Sequence, residues 1–492
     1  MNSPLSAVKR YLFLVSTAVM VFANPSIAWT ETHEKLRIGA LLSKPFTDNL
    51  KNNNGSIAVI QSNPIALVDQ TTVVNAKRTD RGYLTSIPEL ARIAELANQG
   101  IQPYADNVSE LINYPYAVHP YAWGDDQGSY GSASGEYRSI TLSNGAKRCI
   151  SPSQPEGDNF IHYARGGQAV YLKALVYRFT QQTSYAEVIA DKLTELSGTY
   201  GFGKAFDGSN LCILLLATSI GLWIQAADLI SDYPPWNESG KPVFQAWLAN
   251  TVYPKVSWAS RTRKNNWGSA GSLAAAMIAD YLIDTSARLE EFVPIRKTLT
   301  PAEAYQVHNK LQKRRIRSYW KGDSDCNKWG IRHYGGIPDE LRRGNITHCE
   351  SQWIGVDDMG QVDNVALNYQ IKHISHLIFH AEFLLRRADT SLYDLRHQGA
   401  TLISQAIRFV IDNPVDANRS VDWVESQKGL LFVAYRYYRL AIMREIAQTL
   451  STTKGGGELP YGRFTHSFAE NEDPAPPPTT KVENIIPKIY KQ

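Results

Sequence analysis

The stretch LCILLLATSIGLWIQAADLI, residues 211–230, decides how this chain folds. Wound as a helix it is apolar on nearly every side, yet Thr218, Ser219, Gln225 and Asp228 interrupt it. A membrane span disfavours four polar groups at that depth, so the pattern predicts an inner helix enclosed by protein. Such a helix needs partners all round.

The rest of the sequence supplies them. Ser86-Ile87-Pro88-Glu89 is a capping box with proline in the first turn, opening PELARIAELANQG, and Gly100 is its stop signal. Leu172, Leu175, Val176 and Phe179 fall at i, i+3, i+4 and i+7, and Ser184 with Glu187 predicts a cap for the helix carrying Val188, Ile189 and Leu193. Further helices are expected over 242–252, 269–284, 301–320, 363–387, 400–412 and 421–450, the third opened by Thr300, Pro301 and Glu303. No stretch alternates apolar and polar residues for long enough to predict a sheet. Many long helices, some apolar on every side, predict an all-α fold: an α/α toroid of helical hairpins, an inner layer covered by an outer one. No fixed sequence period marks a solenoid.

Of the 492 residues, 43% are hydrophobic, enough for a large core. Residues 1–28 read as a signal peptide: Lys9 and Arg10, then YLFLVSTAVMVF, then Ser26-Ile27-Ala28 for cleavage. The apolar run is shorter than the roughly 20 residues a span requires, so no stable membrane insertion is expected after cleavage, and the mature chain is expected to be secreted or periplasmic. Residues 29–83 read as an irregular N-terminal segment, 84–452 as the toroid, and 453–492, with KGGGE and EDPAPPPTT, as a flexible tail outside the fold. Of the formal net charge of +4, two units belong to Lys9 and Arg10, so no nucleic-acid partner is expected. Cys326 and Cys349 are the expected disulfide among four cysteines, because the loop between them is short. No cofactor motif is present, and no C-x-x-C spacing suits zinc. Asp323-x-Asp325-x-Asn327 begins like a calcium loop, but Lys328 and Tyr334 stand where Gly and Glu are needed, so no metal is expected. Oligomeric state is not legible.

Chemistry concentrates at RKNNWGS, residues 263–269, where two cations, two amides and an indole precede the apolar run LAAAMIADYLID. One use of an asparagine here is to cap that helix. Another is to offer amide N–H groups to an anion at the positive end of the helix dipole. The order of IPELARIAELANQG, ARGGQAVYLKALVYRF, AADLI, the Asn-Asn pair and HAEFLLRRADTSLYDL resembles the alginate lyase superfamily of polysaccharide lyases, over about residues 84–450. That resemblance implies an α/α toroid that cleaves a uronic-acid polysaccharide by β-elimination, with alginate first among candidates. It makes Asn266 a neutraliser of the uronate carboxylate, beside Asn265. The family's next residue is histidine, and here it is Trp267, so the base must come from elsewhere. Tyr369, in DNVALNYQIKHISH, lies where the family places its tyrosine and is the expected base and acid, with His373 as the catalytic histidine that could take that role instead; His373 and His376 follow on one helical face. GGIPDELRRG resembles the segment supplying the arginine, which makes Arg343 or Arg342 the candidate, with Arg332 and His333 in reserve.

An acidic polysaccharide is the expected partner. Lys264 and Trp267 are expected to contact it, as are His162 and Arg165 in NFIHYARGG, while YPYAVHPYAWGDD offers His119, Tyr121 and Trp123. Lys310, Lys313, Arg314, Arg315, Arg317 and Lys321, with Tyr319 and Trp320, form a basic, aromatic helix end suited to capture. Two other functions fit the same residues. One is a glycoside hydrolase pairing carboxylates from Asp339, Glu340, Glu350, Asp357 and Asp358. The other is a glycan-binding protein that has lost activity with the motif histidine.

Overall fold

The computed structural model describes residues 81–114, 138–141, 147–150, 159–199, 210–292, 295–317, 330–332, 335–341, 364–397, 399–412, 420–449 and 461–468. All of these except Thr141 belong to one compact unit. The fold is all-α, as expected.

Two helices open it, α1 (Ile87–Asn98) and α2 (Tyr104–Ile112). The Ser86–Glu89 capping box is formed in both directions, and Gly100 adopts the left-handed backbone that closes α1. Next come α3 (Asn159–Thr180), α4 (Thr183–Thr194) and α5 (Asn210–Leu229). Helix α4 starts one residue ahead of Ser184, behind Gln182, and has no side-chain cap, so the expected Ser184 cap is not used. Helix α5 is the inner helix predicted from residues 211–230. Ser219, Gln225 and Asp228 are buried with it, and Gln225 donates to the Gly221 carbonyl within the helix, whereas Thr218 faces outward. No helix among the described residues is long and apolar enough to cross a membrane.

The second half contributes α6 (Lys241–Trp247), α7 (Tyr253–Thr262), α8 (Asn266–Tyr281), α9 (Pro301–Arg317), the one-turn α10 (Pro338–Leu341) and α11 (Asn364–Leu385). Wide π turns run through Leu248–Val252 between α6 and α7. Helix α8 begins three residues earlier than its periodicity predicts, and every residue in it but Trp267 is buried. It packs on α5, α7, α9 and α11, while α3 covers α5 and α13 (Ser420–Tyr438) covers α11. Enclosed helices therefore pack on one another beneath amphipathic ones such as α1, which lies on α3, the layering expected of an α/α architecture. Short ribbons join helices: Leu289–Glu291 pairs with Lys297–Leu299, and Arg396–His397 with Ala400–Thr401. They are too short to show alternation, so the sequence did not reveal them.

Helix α12 (Leu402–Asp412) matches its prediction, but 421–450 is broken into α13 and α14 (Ala441–Thr449). Arg439 at φ 54° ends α13 without glycine or proline, so the periodicity ran across the break. Residues 461–468 also depart from expectation. They form α15 (Tyr461–His466) and bury Phe464 and Phe468 against α13, with the Phe468 ring stacked 5.1 Å from Tyr435. This part of the C-terminal segment belongs to the core. Buried arginines fasten the elements: Arg387 makes a two-pronged contact with Asp280 at 2.8 and 2.6 Å, while Arg386 and Arg436 converge on Glu89 of α1.

Candidate active site

The site starts at the corner between α7 and α8. Glycine allows the two helices to meet: a Cβ on Gly271 would lie 2.6 Å from the Ser260 nitrogen, and one on Gly268 would lie 2.1 Å from the Arg263 carbonyl oxygen. Without those hydrogens-only positions the helices would splay. Arg263 is extended at the end of α7, and its carbonyl accepts from Arg315 Nη2 at 3.2 Å.

The two asparagines then divide the roles that the sequence left open. Asn265 is the N-cap, its side chain accepting the Trp267 N–H at 3.2 Å. Asn266 occupies the first turn, 3% exposed, and its Oδ1 is buried with no hydrogen-bond partner among the described residues. A buried, unmatched amide costs stability, which makes it a place to look for a ligand.

Its backbone N–H is satisfied from afar, donating to Glu340 Oε1 at 2.5 Å. The same oxygen accepts from His373 Nδ1 at 2.9 Å, and His373 Nε2 meets Ser269 Oγ at 2.7 Å. Glu340 is fully buried and His373 nearly so. Because a carboxylate only accepts, His373 Nδ1 carries the proton shared with Glu340, while Nε2 pairs with the Ser269 hydroxyl. Both ring nitrogens are thus occupied. Gln370 holds the segment leading into α10 in place, accepting from the Ile337 N–H at 2.9 Å and donating to the Gly335 carbonyl at 3.3 Å.

Tyr369 lies one turn before His373 on α11 and is half-buried. His376, one turn beyond, is driven down to about 3 by burial, with the charges of His373 and Lys372 acting the same way, so it stays neutral. Arg263 has an environment of its own: its guanidinium lies 4.9 Å from the Trp258 ring and 5.6 Å from the Trp267 ring. Lys264 is exposed beside it.

The structure brings Asn265, Asn266 and His373 into one network and sets Trp267 and Lys264 at its edge. His333, Arg342, Arg343, His119, Tyr121, Trp123, Cys326, Cys349 and the side chains of His162 and Arg165 lie outside the described residues. The basic helix end is split. Arg315 turns inward to the Ser260 carbonyl at 2.8 Å and the Ser272 hydroxyl at 3.0 Å, and burial lowers it to about 9. Lys313 pairs with Asp389 at 3.0 Å, while Lys310, Arg314 and Arg317 are exposed on one face. Glu340 and Ser269 were missed as partners of the asparagine pair. They sit 74 and 3 residues from Asn266, and only the short spacing could have been noticed.

No protein-family model matches the chain, and no curated protein matches its sequence. Solved structures similar to it include two alginate lyases. One is an alginate lyase from Bacteroides ovatus, 16% identical, covering 79% of this chain and 99% of that one at a TM-score of 0.49. The other is alginate lyase A1-III from Sphingomonas species A1, 11% identical, covering 74% and 92% at a TM-score of 0.48.

Proposed function

We propose that the chain is an exported polysaccharide lyase that cleaves a uronic-acid polymer, alginate or a related polyuronate, by β-elimination. The observation that carries this reading is Asn266: a buried side chain whose amide oxygen has no partner among the described residues, in the first turn of a buried helix, where the family resemblance expects the amide N–H to neutralise the carboxylate. Preorganised donors at such a point stabilise the charge that builds when a base removes the proton beside the carboxylate. The electron pair left behind forms a double bond to the neighbouring carbon as that carbon's glycosidic C–O bond breaks, and the departing oxygen takes up a proton. Tyr369 serves as base and acid. His373, held by Glu340 and Ser269, sets the polar surroundings on the next turn, and Arg343 or Arg342 supplies the family's guanidinium.

A second reading is favoured by Trp267 and by the closure of both His373 nitrogens: a glycan-binding protein without activity. Paired-carboxylate hydrolysis is less well supported at Glu340, whose Oε1 is already shared by two internal donors in a fully buried setting. Incubation with a panel of acidic glycans tests all three. Ultraviolet absorbance from a conjugated unsaturated uronate is the expected result; new reducing ends without it indicate hydrolysis, and binding without cleavage indicates a lectin-like protein.

A further inference from the structure

We infer that Arg263, lying against Trp258 and Trp267, binds the carboxylate of an acidic sugar in a subsite beside Asn266. The inference rests on the reading above for its substrate class, and on four observations of its own. Arg263 has no acidic partner among the described residues; Arg315 lacks one too but donates to carbonyls and hydroxyls instead, and the buried or half-buried Arg178, Arg261, Arg386 and Arg387 each face a carboxylate. Its Nε is buried and makes no hydrogen bond. Its backbone is fixed, with the N–H on the Ala259 carbonyl and the carbonyl on Arg315. Finally, Asn266, three residues on, holds a nine-tenths buried amide oxygen that is also unmatched.

A cation–π contact with indoles uses no N–H donor, so the guanidinium fork stays available to a ligand. That edge is a fork matched to a carboxylate, while the Asn266 oxygen suits a sugar hydroxyl donor. The positive end of α8 and the exposed Lys264 favour the anion further. A plain corner clamp would need the stacking but neither the open edge nor an uncompensated charge.

Binding of alginate oligosaccharides, and of the same oligosaccharides with carboxylates reduced to alcohols, is measured by calorimetry for the wild type, Arg263→Lys and Arg263→Met. The wild type is expected to prefer the acid form, and both variants to lose about tenfold or more of that affinity, as befits a lost charge-assisted pair, with little change toward the reduced form. Where cleavage is measurable, KM rises with kcat nearly kept. A second measurement needs no variant: saturating oligosaccharide is expected to protect Arg263 from phenylglyoxal, read by peptide mass. Wild-type affinity in a folded Arg263→Lys, equal binding of acid and reduced forms, or labelling of Arg263 unaffected by ligand overturns the inference. Acid-selective binding that depends on Arg263 but comes with no ultraviolet product leaves the subsite standing and removes the lyase reading.

Discussion

Glu340 and His373 sit 2.9 Å apart, fully buried, although 33 residues separate them in the chain. The same carboxylate oxygen also takes the first N–H of α8, so one side chain couples α8, α10 and α11. Glu340→Ala leaves a buried backbone donor and a buried imidazole N–H without an acceptor. Chemical denaturation is expected to show a loss of about 3 kcal/mol, and Glu340→Gln, which keeps an oxygen, a clearly smaller one. Equal stability of wild type and Glu340→Ala would contradict the coupling.

The adjacent asparagines separate into a structural and a functional residue. Asn265→Ala removes the cap and is expected to cost about 1 kcal/mol while leaving activity near wild type. Asn266→Ala removes an amide oxygen with no partner among the described residues, so its stability is expected to stay close to wild type while ultraviolet product formation falls about 10²–10³-fold. Thermal melts and initial rates on the same two proteins check both halves.

Gly271→Ala tests the close approach of α7 and α8. Its methyl group would sit 2.6 Å from the Ser260 nitrogen and 2.8 Å from the Val256 carbonyl oxygen, backbone atoms that cannot swing aside. A loss of about 1–3 kcal/mol is expected in denaturant melts, with the Ser260–Ser272 contact the first to be strained. A neutral result would mean that the helices stand further apart.

Acid is expected to weaken the fold from pH 6.5 downward. Burial lowers His376 and His380 to about 3 and His466 to about 4, the last against the pull of Glu382. Because the folded values lie below the unfolded one, the unfolded chain binds more protons, so the contribution is complete above about pH 6.5 and shrinks as pH falls toward the folded values. Each histidine is worth on the order of 2 kcal/mol between pH 7 and 5. Stability measured across that range should slope accordingly, and His376→Leu should flatten it. An unchanged slope would place the burden on other groups.

A separate, lower window belongs to Glu89. Burial alone would raise its carboxyl, but the charges of Arg386 and Arg436 outweigh burial and hold it well below the usual range. Its contribution is present above the ordinary carboxylate value and lost as pH falls beneath it. Glu89→Gln is expected to remove that acid limb while costing stability at neutral pH.

Local signals were legible in the sequence. The Ser86 and Thr300 boxes, the Gly100 stop and the inner character of residues 211–230 depend on neighbours within a turn or two, and the structure has all of them. Residues whose state rests on distant partners were not legible. Arg315 looked like a surface cation until α7 offered it carbonyls, and Phe468 looked like tail until α13 offered it a ring.

By itself, then, the sequence determined most of the helices, the Ser86 and Thr300 caps and the placing of an asparagine pair before a buried helix, because periodicity and capping are short-range. Tertiary structure alone decided which asparagine caps and which faces an unmet need, that Glu340 and Ser269 close around His373, and that the Arg263 Nε has no hydrogen bond among the described residues. Those outcomes depend on what burial leaves next to each polar group, and burial is settled only when segments far apart in the chain pack together.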